Sequence, residues 1–387
     1  MSRELRALPV PTRPADVLAL LPTLAAALAG DGPALLPVTA DEPGLPAALG
    51  VDEPVDDRIA LVIGTSGSTG APKGALLASD AIKASAMATH ARLGGPGTWL
   101  LAMSTRYIGG LQVLVRSLLA GTEPVVADLT DGFRAENFTK AAFTALNTPG
   151  RHYTALVPTQ LTRLMADRDA LEALRGFDGI VMGGAAMSDA ARQRCRDEGV
   201  NAIPSYGMSE TASGCVYDGV PLDGVEIRLS DGRIDIRGPM LADGYRNFDG
   251  PSPFVDGWFH TSDHGRWTED GRLEVLGRLD DVINTGGVKI APSLVEQALL
   301  TVEGVADACV IGLPDPEWGQ IVAAAVVADP VPSEQQLRDA VRTRAGRTAV
   351  PKLFHFLPAL PLLGPGKVDR ASLRKTMGRT DSGRTVN

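Results

Sequence analysis

The segment Thr65-Ser66-Gly67-Ser68-Thr69-Gly70-Ala71-Pro72-Lys73-Gly74 gathers hydroxyls, glycines and one ammonium into a single stretch. Backbone N–H groups and hydroxyls can bond the oxygens of a polyphosphate, and a lysine offsets its charge. The spacing departs from the Gly-x4-Gly-Lys-Ser/Thr phosphate loop, because here the lysine comes after Gly70-Ala71-Pro72 and before Gly74. A flexible Gly/Ser linker is the plain alternative. The apolar run Ile59-Ala60-Leu61-Val62-Ile63 just upstream argues against it, as does the Pro-Lys-Gly ending: both suit a strand that feeds a built loop.

Three further polar clusters follow. Ser205-Tyr206-Gly207-Met208-Ser209-Glu210-Thr211 joins an aromatic ring, on which an adenine could stack, to a carboxylate suited to a hard cation. In Gly257-Trp258-Phe259-His260-Thr261-Ser262-Asp263 the last carboxylate could bond ribose hydroxyls. Gly364-Pro365-Gly366-Lys367-Val368-Asp369-Arg370 presents a lysine on a glycine-rich turn. Each cluster alone reads as an ordinary turn, a loop cap or a solvated lysine. Their succession along one chain points to nucleotide chemistry.

The elements that must carry these clusters alternate between strand-like and helical patterns. Trp99–Met103, Pro124–Ala127, Tyr153–Val157 and Gly179–Gly184 read as short strands. Gly110–Leu119 reads as a helix, and Pro158-Thr159-Gln160-Leu161 as a helix start. This grammar predicts an α/β fold with crossover helices. From about Asp218 it changes to short runs with turns, Val225–Leu229, Asp231-Gly232 and Arg233–Arg237, which predicts an antiparallel β unit. Ala15–Leu28 reads as an amphipathic surface helix, and Gly378–Gly383 as a frayed tail.

At 387 residues the chain is long enough for two or more domains. With 44% hydrophobic and 21% charged residues it reads as globular rather than disordered. A net charge of -9 argues against a general nucleic-acid binder. Cys195, Cys215 and Cys309 have no metal-ligand spacing, which suits a reducing cytoplasm. No apolar stretch reads as a stable membrane insertion. A homodimer is compatible with the sequence, which does not decide oligomeric state.

In this order the motifs resemble the acyl-activating adenylate-forming superfamily, over residues 58–375. The matching positions are Thr65–Gly74, Gly183-Gly184-Ala185, Tyr206–Glu210, Trp258–Asp263, Gly277-Arg278-Leu279-Asp280-Asp281 with Gly286-Gly287, and Gly366–Arg370. The resemblance implies a large N-terminal α/β domain over residues 1–280, a small α+β mobile lid over 281–376 and a flexible tail over 377–387. It implies ATP, Mg²⁺ and coenzyme A acting with a small carboxylic acid. A carboxylate attacks the α-phosphate of ATP, and a thiol then displaces AMP from the acyl-adenylate.

Carried onto this chain, the resemblance gives Thr65, Ser66, Gly67, Ser68, Thr69, Gly70 and Lys73 to the β- and γ-phosphates. Glu210 takes Mg²⁺, Asp263 and Arg278 take the ribose, and Tyr206 flanks adenine with Gly184 and Ala185. Ser205, Gly207, Met208 and Ser209 complete that segment, Ser209 standing where the family usually has threonine. Lys367 is the catalytic cation of adenylation. Asp281 is the hinge about which it withdraws, and Gly286-Gly287 approaches the thiol.

The compact length, with Leu156–Leu161 and Ile108–Leu114, looks like the o-succinylbenzoate–CoA ligase branch of menaquinone biosynthesis. Tyr107, preceded by Arg106, replaces the family's usual histidine ahead of Ile-x-Gly-Leu and cannot become an imidazolium. Candidate substrate contacts are Arg106, Tyr107, Gly110, Thr159, Gln160 and Arg163, the arginines serving a second carboxylate that does not react. Two other readings stand beside this one: loading of another aryl or short acid onto CoA or a carrier protein, and a nucleotide-binding module without turnover.

Overall fold

In the computed structural model, which describes residues 1–66, 72–363 and 367–380 (backbone alone at 66, 363, 367, 379 and 380), Ile59–Ser66 is a strand. Ile59 to Ile63 are each at most 1% exposed, so both faces are covered, as an uninterrupted apolar run requires. The strand pairs antiparallel with Pro72–Ala78, setting Thr65 across from Lys73 and Ser66 across from Pro72. Their six-stranded sheet runs Gly244–Arg246, Pro72–Ala78, Ile59–Ser66, Ala34–Val38, Ser2–Pro9, Pro54–Asp56.

A second sheet, of seven strands, runs Val220–Pro221, Ser213–Tyr217, Ala202–Met208, Gly179–Met182, His152–Leu156, Thr98–Leu101, Val125–Val126. From Ala202–Met208 onward its pairings are parallel, and Ser213–Tyr217 returns antiparallel. Helices Ile108–Ala120, Ala135–Leu146, Pro158–Met165 and Arg168–Arg175 make the crossovers that parallel pairing demands. The expected α/β grammar is therefore observed, with strand ends shifted by one or two residues. Ala15–Leu28 differs from expectation. It forms two helices, Pro14–Leu18 and Leu21–Ala29, and buries Val17, Leu24, Ala27 and Leu28 in the core. Pro22 favours a fresh helix start, and the alanine-rich face is small enough to pack closely.

The chain divides into two compact units, one of residues 1–186, 195–228 and 235–261, the other of residues 187–194, 229–234 and 262–387. In the second unit the turn Asp231-Gly232 has φ of 52° and 82°, the pair of left-handed residues that a tight two-residue hairpin needs. Its main sheet runs Val288–Ile290, Ile283–Thr285, Gly319–Ala328, Val305–Asp315, with Leu353–Phe356 parallel to Gly319–Ala328. Helices Pro292–Leu299 and Glu334–Ala345 share one core with this sheet through Val295, Leu299, Leu337 and Val341. Leu373 and Met377 of helix Arg370–Thr380 join a separate core with Cys309, Ile311 and Ile321. This is the α+β unit expected at the C-terminus. Its last helix runs through Thr380, and residues 381–387 of the expected tail lie outside the described residues.

All three cysteines are free and buried. Burial pushes the Cys215 and Cys309 thiols up to about 12, and Cys195 sets its sulfur 3.7 Å from that of Met165. Among the described residues no helix is long and apolar enough to cross a membrane.

One buried histidine gives the first unit a pH dependence. Trp99, fully buried, donates its indole N–H to His90 Nε2 at 3.4 Å, so the imidazole is held as an acceptor. Burial, and then the charge of Arg116, lowers His90 from 6.5 to about 4. The unfolded chain takes up a proton near its ordinary value, whereas the folded chain refuses it until far lower pH. The contribution is full above the unfolded value and falls away as pH drops through the window between the two. Chemical denaturation should show His90→Gln losing about 2.5 kcal/mol less than the parent between pH 7 and pH 4.5. Equal losses in both proteins would refute the assignment.

Candidate active site

Parallel strands leave their following loops on one edge, and ligands in such sheets bind at the strands' carboxyl ends. In the second sheet that edge receives Thr105-Arg106-Tyr107 after Thr98–Leu101 and Val157–Gln160 after His152–Leu156. It also receives Gly183–Ala185 after Gly179–Met182, and Ser205–Glu210 at the end of Ala202–Met208. Ser205 Oγ donates to Met182 O at 2.8 Å, tying two of these exits together. Gly184 (φ 80°) and Ala185 are exposed, and Tyr206 is half-buried. Gly207 is demanded by the backbone: a Cβ there would lie 2.2 Å from Ser213 O, where the strand turns back on itself.

Glu210 sits in the 3-10 turn Ser209–Thr211 and is 8% exposed. Thr211 Oγ1 accepts from Met208 N at 2.9 Å, and Glu210 O accepts from Ala242 N at 2.8 Å. Two residues on, Ala212 O accepts from both Gln112 Nε2 (2.8 Å) and Ser85 Oγ (2.9 Å), so two helices fix the turn. Lys73 Nζ lies 3.9 Å from Glu210 Oε1, and Tyr245 donates its phenol to the same oxygen at 2.5 Å. Thr65 Oγ1 reaches Lys73 O at 3.4 Å across the hairpin. Thr65, Lys73 and Glu210 are thus gathered at one corner. Gly67, Ser68, Thr69 and Gly70 lie outside the described residues, as does the side chain of Ser66.

Arg106 does not stand ready for a ligand. It is 4% exposed, and its guanidinium grips both carboxylate oxygens of Glu42, with Nη2 at 2.9 Å from Oε1. Its Nη1 also reaches Gly64 O at 3.4 Å. The contact with Arg106 holds the Glu42 carboxyl below its usual range. Tyr107 caps helix Ile108–Ala120 and is 38% exposed, and partial burial of its ring pushes the phenol upward. Gly110 is enforced by packing, since a Cβ would sit 2.3 Å from Ser104 O. Gln160 is engaged at both ends of its amide, donating to Ala102 O and accepting from Val157 N, each at 2.9 Å. Thr159 is half-buried, and Arg163 faces solvent on helix Pro158–Met165.

In the second unit, Asp263 and Arg278 face each other across an antiparallel pair, with Arg278 Nη1 3.9 Å from Asp263 Oδ1. Arg278 is bonded more closely to Asp280, at 2.8 Å. The expected hinge residue Asp281 is clasped by Arg370 (3.6 Å) and Arg374 (3.3 Å). Lys367 pairs with Leu363 in a two-stranded ribbon, and its side chain is outside the described atoms. Gly286 and Gly287 have φ of 58° and 84° and form the two-residue turn between Ile283–Thr285 and Val288–Ile290.

Sequence reasoning missed Tyr245, Gln112 and Glu42. Tyr245 lies beside Gly244 in a three-residue strand too short to register as a pattern, and Gln112 looked like one polar break in an apolar helix. Nothing in the sequence marks Glu42 as the partner of Arg106, because the pairing spans distant segments.

The close approach at Gly207 yields a direct test. The atoms a Cβ would meet are all backbone of Ser213-Gly214, so Gly207→Ala cannot relax cheaply and should lose about 3 kcal/mol in chemical denaturation. Gly184→Ala, at an exposed left-handed position, should lose about 1 kcal/mol. The reverse ranking would show that the hairpin beside Glu210 is not fixed as described.

A profile of AMP-binding enzymes matches residues 26–246, and one of the AMP-binding enzyme C-terminal domain matches residues 294–367. A Mycobacterium tuberculosis relative named Probable 2-succinylbenzoate–CoA ligase is 46% identical over 97% of this chain and 100% of its own length. The 2-succinylbenzoate–CoA ligase of Listeria monocytogenes is 31% identical over 82% of this chain and 70% of its own. Among solved structures, Bacillus subtilis o-succinylbenzoate CoA synthetase with its acyl-adenylate intermediate aligns with a TM-score of 0.72 at 28% identity, covering 88% and 74% of the two chains. An amide bond synthetase from Marinactinospora thermotolerans shares the fold, with a TM-score of 0.81 at 23% identity over 97% and 90%. Both halves of the chain match, and so does a relative over its whole length: the chain belongs to the AMP-binding enzyme family.

Proposed function

We propose that this protein is an AMP-forming acid–thiol ligase that converts o-succinylbenzoate, ATP and coenzyme A to o-succinylbenzoyl-CoA, AMP and pyrophosphate, a step of menaquinone biosynthesis. The observation that carries the reading is the 46% identity to a ligase of that name, sustained over 97% of this chain. The corner of Lys73, Thr65 and Glu210 supports it, since it joins a cation and hydroxyl to a carboxylate at a strand exit. Three free buried cysteines suit a cytoplasmic location.

The residue roles follow the chemistry. Thr65, Ser66, Ser68, Thr69 and Lys73 hold the β- and γ-phosphates. Tyr206 flanks adenine with Gly184 and Ala185, and Asp263 and Arg278 take the ribose. Mg²⁺ fits Glu210, a nearly buried hard oxygen donor. No group of three or more His, Cys, Asp or Glu that could hold a metal is found among the described residues, so Glu210 would hold Mg²⁺ together with oxygens from outside the protein. The cation neutralises phosphate charge when bound. Lys367 steadies the charge that develops as the acid's carboxylate attacks the α-phosphate. The CoA thiol then attacks the acyl carbonyl beside Gly286-Gly287 and AMP leaves. A division near residues 280 and 281, with Asp281 as hinge, lets one lid serve both half-reactions. The direct test is CoA-dependent AMP release across a panel of carboxylic acids, with o-succinylbenzoate expected to lead. A flat panel would remove the substrate assignment.

Lys367→Ala should separate the two half-reactions. Adenylation, followed by ATP–pyrophosphate exchange, should fall on the order of 10²-fold or more, as on removing one preorganised charge partner. Thioesterification of supplied acyl-adenylate should change little. Equal losses in both steps would reject the role.

The second carboxylate of o-succinylbenzoate gives another measurement. If Arg106 or Arg163 receives it, alanine at that position raises KM for o-succinylbenzoate far more than for benzoate and leaves KM for ATP unchanged. For Arg106 the exchange must displace Glu42, so Glu42→Gln should lower KM for o-succinylbenzoate. Unchanged discrimination in both arginine variants would shift recognition to Thr159 and backbone donors around Gly110.

A further inference from the structure

Lys73 and Glu210 carry opposite charges and sit 3.9 Å apart, further than a hydrogen-bonded ion pair. Tyr245 contacts both. Its phenol donates to Glu210 Oε1 at 2.5 Å, a short charge-assisted bond. Its ring lies 3.6 Å beneath the Lys73 ammonium, within cation–π range. The ring is itself fixed, with Phe248 at 5.1 Å and Phe254 at 5.5 Å between centroids. Its strand is anchored next door, where Arg246 donates to Leu49 O (2.6 Å), Gly50 O (3.1 Å) and Pro54 O (3.1 Å). Strand pairing places Tyr245 across from Ala75, two residues beyond Lys73.

We propose that Tyr245 is a positioning residue of this corner: its hydroxyl and its ring face keep Glu210 and Lys73 from collapsing into a contact ion pair. This inference rests on the ligase reading above, in which Lys73 serves phosphate and Glu210 serves Mg²⁺. One side chain of two natures performs both tasks. The hydroxyl occupies the face of Oε1 that the ammonium would otherwise take, and the π-face offers the ammonium an alternative seat. Without the hydroxyl the ammonium, still seated on the ring, leans toward Oε1, and a divalent cation must then compete with it for that oxygen. Without the ring the ammonium keeps only the more distant Phe248 ring, 5.2 Å away, as a cation–π partner.

The two variants that separate these tasks are Tyr245→Phe and Tyr245→Leu. Calorimetric titration with ATP, with and without Mg²⁺ and without any acid, reads binding in the absence of turnover. Tyr245→Phe should raise the half-saturating Mg²⁺ concentration about 10-fold, as for loss of a hydrogen bond to a charged group. Its metal-free ATP affinity should stay within about threefold of the parent, because the cation–π seat remains. Tyr245→Leu should weaken ATP in both conditions. An unchanged Mg²⁺ midpoint in Tyr245→Phe would overturn the inference. So would an equal loss of metal-free and metal-supported binding together with a lower Tm, which marks packing alone. If the parent protein binds ATP with no Mg²⁺ dependence, the ligase reading fails instead, and the tyrosine variants are not needed to see it.

Discussion

The arrangement rests on one buried carbonyl. Ala212 adopts φ of 48° and Ser213 φ of 101°, backbone regions that non-glycine residues enter at a cost of about 1–3 kcal/mol each. Such a turn persists only where its surroundings over-determine it. Here Gln112 and Ser85, on two different helices, both donate to Ala212 O in an environment without solvent. Releasing that carbonyl would free the turn to a commoner conformation and carry Glu210 out of reach of Lys73 and Tyr245. The charged corner is thus held in place by neutral hydrogen bonds two residues along the chain from Glu210.

The buried strands were legible because they are continuous apolar runs. Ile59–Ile63 and Gly179–Met182 leave no alternation to misread, and their glycine-rich exits announce loops. Short local turns were legible too, Asp231-Gly232 among them, because two left-handed residues need small or Asp/Asn side chains. What escaped was how each residue is already engaged by its neighbours in the fold. Gly110 and Gly207, named for ligand contact, each also face a carbonyl six residues away that leaves no room for a Cβ. Gln160 looked available and is engaged by its own helix start and by Ala102. Composition records which groups are present, but not which of them have already found partners.

Two buried arginines show how differently one charge can be accommodated. Arg106 holds a carboxylate from a distant loop, which keeps the ion pair neutral as a unit. Arg116 is 1% exposed, and among its described contacts is the face of Trp99 at 4.8 Å. Burial lowers its affinity for a proton, as expected for a cation in an apolar setting. The same field disfavours a second charge on His90, which accounts for that imidazole remaining a hydrogen-bond acceptor.

The burial of the three cysteines has a consequence for a catalyst whose second substrate is a thiol. Thiol–disulfide exchange requires a thiolate and an open approach to sulfur. With Cys215 and Cys309 raised to about 12, the thiolate fraction at neutral pH is on the order of one in 10⁵. Cys195 is 2% exposed, packed against Met165. Mixed disulfides between the enzyme and coenzyme A, or its oxidised dimer, therefore have no accessible sulfur on which to form. The folded protein can stand in a pool of reactive thiols and remain chemically silent toward all of them except at the acyl carbonyl it presents.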